Sequence, residues 1–162
     1  MGVKNYILLG LLRLGRVLLL SATLALIGSG SGALFTNSVT PGYFWDGAVG
    51  VNEWPSYSSH IIGQFFMFIA CLMLTAMSMA MAVGTFMKKE IPWLISVIAN
   101  GIGACIMLLG GVLEMWYATG WTDRAFSPTL IIYRVNAWYA ASVFFLFNLA
   151  TFIGDIILVL KA

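Results

Sequence analysis

The sequence predicts an all-α membrane protein, an antiparallel bundle of four transmembrane helices with cytoplasmic N- and C-termini. Two observations place it in a bilayer and a third orients it. The 162-residue chain is 61% hydrophobic and only 9% charged, with a mean hydropathy of +0.97. A single soluble domain of that length has no interior large enough to hide so much apolar surface. Four unbroken apolar stretches, about 7–29, 61–86, 92–118 and 137–160, each reach the ~20 residues a spanning helix requires. They are longer than the ~10-residue strands of a membrane barrel and lack their alternation. Lys4, Arg13, Arg16, Lys88, Lys89 and Lys161 cluster at the chain start, in the link between spans two and three, and at the chain end, which the positive-inside rule puts in the cytoplasm. The loops at about 30–60 and 119–136 then face outward, and residues 1–162 read as one four-span domain.

Span one runs out into GSGSG, where Gly28 and Gly32 are either a small-xxx-small pair or a flexible exit from the membrane. Its apolar stretch from Tyr6 onward is longer than a signal-peptide h-region, which favours a retained span. Span two carries Met73, Met77 and Met81 on one line and Ala76, Ala80 and Gly84 on the next. The small line suits close contact with a neighbouring helix, the methionine line an adaptable surface. After it, MKKEIPW makes a tight turn with Pro92 in the first turn of the next helix and Trp93 at the interface, so spans two and three read as a hairpin. Span three is thin at Ala99, Gly103, Gly110 and Gly111, which suggests a helix at the centre of the bundle. Trp116, Tyr117, Trp121, Trp138 and Tyr139 bracket the second outer loop as an aromatic belt does.

Chemistry-bearing residues are few. Cys71 and Cys105 both fall inside spans, so no disulfide staples either outer loop. That separates the chain from claudins, connexins and tetraspanins, all of which place cysteines there. Glu114 lies near the outer end of span three, in reach of the interface or of His60, Arg124 or Arg134. Asp155 lies near the inner end of span four, in reach of Arg13 or Arg16, and such a bridge would lock spans four and one together. The two acids belong to opposite leaflets and form no catalytic dyad. Asn100, Asn148, Ser78, Ser96 and Thr75 are the other polar groups within spans, of a kind that bonds across helices. His60 is the single histidine, so no bis-histidine haem or zinc site is available from one chain, and no Gly-x-Ser-x-Gly elbow or phosphate-binding glycine loop occurs. The sequence therefore points away from an enzyme and implies no cofactor and no metal.

The first outer loop concentrates Tyr43, Phe44, Trp45, Trp54 and Tyr57 around Asp46, Asn52, Glu53 and Pro55. These rings suit headgroup contact, packing on the second loop, or a contact surface for another protein. The W-D-G…N-E-W-P pattern, the absence of loop cysteines, GQFFMF and VGTFMKK in span two, GGVLEMWYATGW ending span three, and a late aspartate in span four together resemble insect four-span septate-junction proteins of the Snakeskin and Pasiflora type. The likeness covers nearly the whole chain. More distantly the layout is similar to MARVEL-domain proteins, which also carry an acidic residue late in span three, as at Glu114.

The septate-junction resemblance implies a non-enzymatic component of an occluding junction in the lateral plasma membrane of epithelial or glial cells. Its partners would be other junction membrane proteins, membrane lipid and a second copy of the chain, with no role for nucleic acid. Trp45, Asp46, Asn52, Glu53, Trp54 and Pro55 are the partner-contact residues this reading selects. The MARVEL likeness implies instead a vesicle-trafficking or membrane-organising protein. A third alternative is a small channel or transporter subunit dependent on Glu114 or Asn100.

Overall fold

The computed structural model describes residues 3–30, 32–37, 44–48, 62–89, 91–120, 129–133 and 135–161. Four helices carry most of it: α1 Val3–Gly30, α2 Ile62–Phe86, α3 Trp93–Gly120 and α4 Val135–Leu160. Each contains a stretch of 23 or 24 residues apolar enough to cross a membrane. At 1.5 Å per residue that is about 35 Å, enough for the ~30 Å hydrocarbon core. The chain is thus built as a multi-pass membrane protein.

The helices are inside-out relative to those of a soluble bundle. Leu8, Leu11 and Leu18 on α1, Ile98, Ile102 and Leu109 on α3, and Leu146 and Phe147 on α4 point outward, while Arg13, Arg16, Gln64, Asn100, Glu114, Asn148 and Asp155 are buried. The buried positions step alternately by three and four. On α1 this line runs through Leu9, Arg13, Arg16, Leu20, Thr23 and Ile27, with Gly10 and Val17 buried beside it, and on α2 through Gln64, Met67, Cys71, Leu74, Ser78, Met81 and Thr85, with Ala82 beside it. The seams of α3 (Ser96, Asn100, Gly103, Met107, Gly110, Glu114) and α4 (Trp138, Ala141, Phe145, Asn148, Phe152, Asp155) follow the same rule. This is the 3.5-residue repeat of left-handed helix packing.

The four helices are not equally shared. α1 lies against both α2 and α4, α3 packs mainly on α4, and α2 and α3 scarcely touch. The hairpin partners therefore meet through side chains with little close backbone approach, and α3 is not the centre of the bundle; α1 and α4 hold that place. What the glycines of α3 allow is the insertion of α4 aromatics. A Cβ on Gly103 would overlap the Phe152 ring, and one on Gly110 would overlap the Phe145 ring and the Met67 methyl. Ala99 is half-buried on the same side.

The other small positions behave differently. Ala76 and Ala80 are exposed and Gly84 half-buried, its Cβ position facing Ile91, so that line makes no close helix contact. A four-residue step overshoots the 3.6-residue turn and drifts by about 80° over eight residues, which is why Met73 is 67% exposed and Met81 only 8%. Gly28 faces Phe68, whereas Gly32 opens a strand instead of extending the α1 line. Trp138 is buried at 2% exposure, inside the bundle rather than in an aromatic belt, while Trp116 and Trp93 are exposed. Cys71 is buried and Cys105 exposed, and the two are unpaired.

Between the helices three short strands are added to this helical frame. Strands β1 (Gly32–Asn37) and β2 (Phe44–Ala48) come from the first long loop and β3 (Thr129–Tyr133) from the second. They form one antiparallel sheet in the order β2-β1-β3. Phe35 stands opposite Trp45 on one side and Ile131 on the other. The two loops are thus joined through backbone hydrogen bonds carried by β1.

At the opposite end, α2 closes with a Schellman cap: Lys88 N–H donates to the Thr85 carbonyl at 3.0 Å and Lys89 N–H to that of Gly84 at 2.9 Å. Lys88 takes the left-handed conformation this requires, with φ 52°, at a position where glycine is the usual residue. Pro92 then offers its carbonyl to Ser96 N–H at 3.1 Å and starts α3.

Two outcomes test this packing. Gly103→Ala is expected to cost about 1–3 kcal/mol by overpacking and to be rescued by Phe152→Leu, whereas Gly101→Ala, with open space around it, is expected to leave the unfolding temperature in detergent unchanged or raise it. Equal effects at the two glycines would contradict the inserted ring. Phe35→Cys with Ile131→Cys is expected to form an intramolecular disulfide seen by peptide mass spectrometry, because facing strand positions lie within bridging distance; failure to oxidise would argue against the β1–β3 pairing.

Candidate functional site

A carboxylate and two guanidinium groups meet inside the bundle. Asp155, fully buried on α4, accepts from Arg13 Nε (2.8 Å, to Oδ2) and from a terminal nitrogen of Arg13 (2.8 Å, to Oδ1), the two-pronged geometry that suits this pair. Arg16 adds a bond to Asp155 Oδ2 at 3.1 Å. Both arginines come from α1 because positions 13 and 16 are successive steps of its buried seam. They engage Asp155 together, with Arg13 in the closer, bidentate contact.

The remaining donors spread this cluster across the bundle. Arg13 reaches Thr85 Oγ1 on α2 at 2.7 Å and Ser96 Oγ on α3 at 2.8 Å. Arg16 donates to Asn100 Oδ1 on α3 at 2.6 Å, and its guanidinium sits 4.1 Å from the centre of the Phe152 ring, within cation–π range. Asn100 in turn donates to the Ser96 carbonyl at 2.8 Å. Every helix supplies at least one member. The Arg16 Nε is without a hydrogen-bond partner among the described residues, so two cations share one anion and the cluster keeps a net positive charge.

Two smaller polar contacts lie further along the bundle. Asn148 donates to Thr23 Oγ1 at 3.0 Å, linking α4 to α1. Gln64 at the start of α2 donates to Glu114 Oε2 near the end of α3 at 2.9 Å. Glu114 is fully buried, so it faces its neighbour helix instead of the interface; His60, Arg124 and Arg134 lie outside the described residues. Among the described residues Thr75 bonds its own helix, donating to the Cys71 carbonyl at 2.7 Å.

Of the partner-contact positions, Trp45 and Asp46 fall in strand β2, opposite Phe35 and Leu34 of β1. Asn52, Glu53, Trp54 and Pro55 lie outside the described residues. Among the described residues no three His, Cys, Asp or Glu side chains gather as a metal site would require. Thr85, Ser96 and Asn100 are the members of the charge cluster that the sequence reading did not assign to it. Their seven-residue and shorter spacings to buried neighbours on α2 and α3 were the available signal.

The architecture defines a four-span membrane protein whose core combines an apolar cluster with buried polar contacts and a buried ion cluster. No protein-family profile, no curated protein and no solved structure matches the chain.

Removing the anion leaves two cations facing one another in a low-dielectric interior, the situation in which breaking a buried pair costs about 3–5 kcal/mol. Asp155→Asn is accordingly expected to lower the unfolding temperature in detergent sharply and to reduce delivery to the cell surface. Glu114→Gln, which can still accept from Gln64, is expected to change both far less. A stable, normally delivered Asp155→Asn protein would contradict the role given to the cluster.

Proposed function

We propose that the protein is a non-enzymatic structural component of an occluding cell–cell junction: an antiparallel four-span bundle in the plasma membrane, termini in the cytoplasm, that presents an outer sheet to partner proteins. One observation carries this reading. Strands from both long loops share one sheet, and Phe44, Trp45 and Asp46 sit on its β2 strand, so these residues are held on a backbone platform. An edge strand offers unpaired N–H and C=O groups to a neighbour, and aromatic residues are favoured at protein contacts. The seam beneath supports the same reading, because its polar groups bond mainly to one another, as in a scaffold.

The alternation of basic segments supports the orientation: Lys88 and Lys89 at the α2–α3 turn stand at the same end as Arg13 and as Lys161 after α4. Likeness to the Snakeskin and Pasiflora type supports the junctional setting. The modest reach of the outer loops favours contacts within one membrane.

In a polarised epithelium the tagged protein is expected to form a lateral belt, and its depletion to make the layer leaky to a small dextran. Intracellular puncta with an intact barrier would favour the trafficking alternative. Trp45→Ala with Trp54→Ala is expected to spare insertion and abolish recovery of junction proteins in a pull-down; undiminished recovery would remove the aromatic segment from the contact surface.

A further inference from the structure

Between α2 and α3, which make little close backbone approach, the turn end of the bundle holds a cavity of about 440 Å³, within the ~300–1,000 Å³ range of small-ligand sites. Its floor is Arg13 and the Ser96 hydroxyl, and its rim is Lys89, Tyr6 and Trp93. Leu9, Ile91 and Val159 make the apolar part of the wall. We propose that this cavity binds the phosphate-bearing headgroup of an anionic phospholipid, with phosphate between Lys89 and the Arg13 floor and the glycerol portion against the apolar wall.

Three features of the site favour this occupant. First, the ion cluster beneath the floor carries excess positive charge: Arg13, which lines the cavity, is paired with Asp155, and Arg16, behind it, shares the same carboxylate. Second, the rim holds uncommitted donors: Lys89 is exposed and makes no ion pair among the described residues, and the Tyr6 hydroxyl makes no hydrogen bond among them. Ser96 accepts from Arg13, which leaves its own proton to donate. Third, a mixed lining of cations, hydroxyls and aliphatic side chains between helices at a membrane surface matches a lipid at its headgroup–glycerol junction, and basic pockets of this kind on the cytoplasmic side take anionic headgroups. Glu90, between Lys89 and Ile91, lies outside the described residues. The inference rests on the cytoplasmic orientation proposed above, because anionic lipids are concentrated in that leaflet.

The test uses the full chain in phosphatidylcholine nanodiscs, titrated with dioctanoyl phosphatidylinositol bisphosphate and followed by thermal unfolding. A saturable stabilisation is expected, absent with dioctanoyl phosphatidylcholine. Lys89→Ala is expected to weaken the apparent affinity by about fivefold, the worth of one lysine at an anionic lipid surface, while Lys88→Ala, one residue away and not in the cavity, is expected to leave it unchanged. Tyr6→Phe, which removes only the hydroxyl, is expected to weaken it with no loss of basal stability. No stabilisation, equal weakening by both lysine variants, or equal stabilisation by inorganic phosphate would overturn the proposal. Staining of an N-terminal tag on intact cells tests the orientation separately: staining without permeabilisation would refute the orientation, whatever the lipid titration gives.

Discussion

A single carboxylate held between two guanidinium groups sets the terms for the rest of this bundle. Charge inside a membrane span is expensive, and the expense falls only when each group finds partners. Asp155 joins α4 to α1 through an ion pair, and the donors it leaves over determine which groups α2 and α3 must bring: a hydroxyl at Thr85, a hydroxyl at Ser96 and an amide at Asn100. The heptad seam follows, because only positions spaced by three and four can keep Arg13, Arg16, Ser96, Asn100 and Asp155 inside while leucine, isoleucine and phenylalanine cover the outside.

Uneven packing is the second consequence. α4 inserts Phe152 and Phe145 at the glycines of α3, and α1 bridges α2 and α4, so nearly all close helix contact runs in the order α2, α1, α4, α3. The circuit between α2 and α3 is closed by side chains. Gln64 and Glu114 link them directly at one end, and at the other Arg13 reaches both Thr85 and Ser96. A bundle closed this way has room beside the polar link, and the cavity lined by Tyr6, Arg13 and Lys89 occupies it. Stability and an available site thus come from one arrangement.

Much of this was legible in the residues, for reasons that differ element by element. The four spans announce themselves because about 20 apolar residues in a row have few other uses, and the acid late in span four pointed to the arginines of span one by depth alone. Which arginine engaged it was not legible, since positions 13 and 16 are one turn apart and both face inward. The small line Ala76, Ala80 and Gly84 misled because a strict four-residue step drifts around the helix. The better signal was the polar residues themselves: in a helix that is apolar all round, their three-and-four spacing marks the buried face. The sheet was hidden by its short strands, although Thr129–Tyr133 carries the β-branched and aromatic residues of a strand. The burial of Glu114 is not legible in the sequence because Gln64, its partner, lies fifty positions away.

Arg13 and Asp155 act as a unit in holding the helices together. A double-mutant cycle of Arg13→Gln and Asp155→Asn, read as unfolding free energy in detergent micelles, tests it most directly. The double variant is expected to be more stable than the sum of the single effects implies, by about 1 kcal/mol or more, as coupled partners are. Strict additivity of the two substitutions would contradict it.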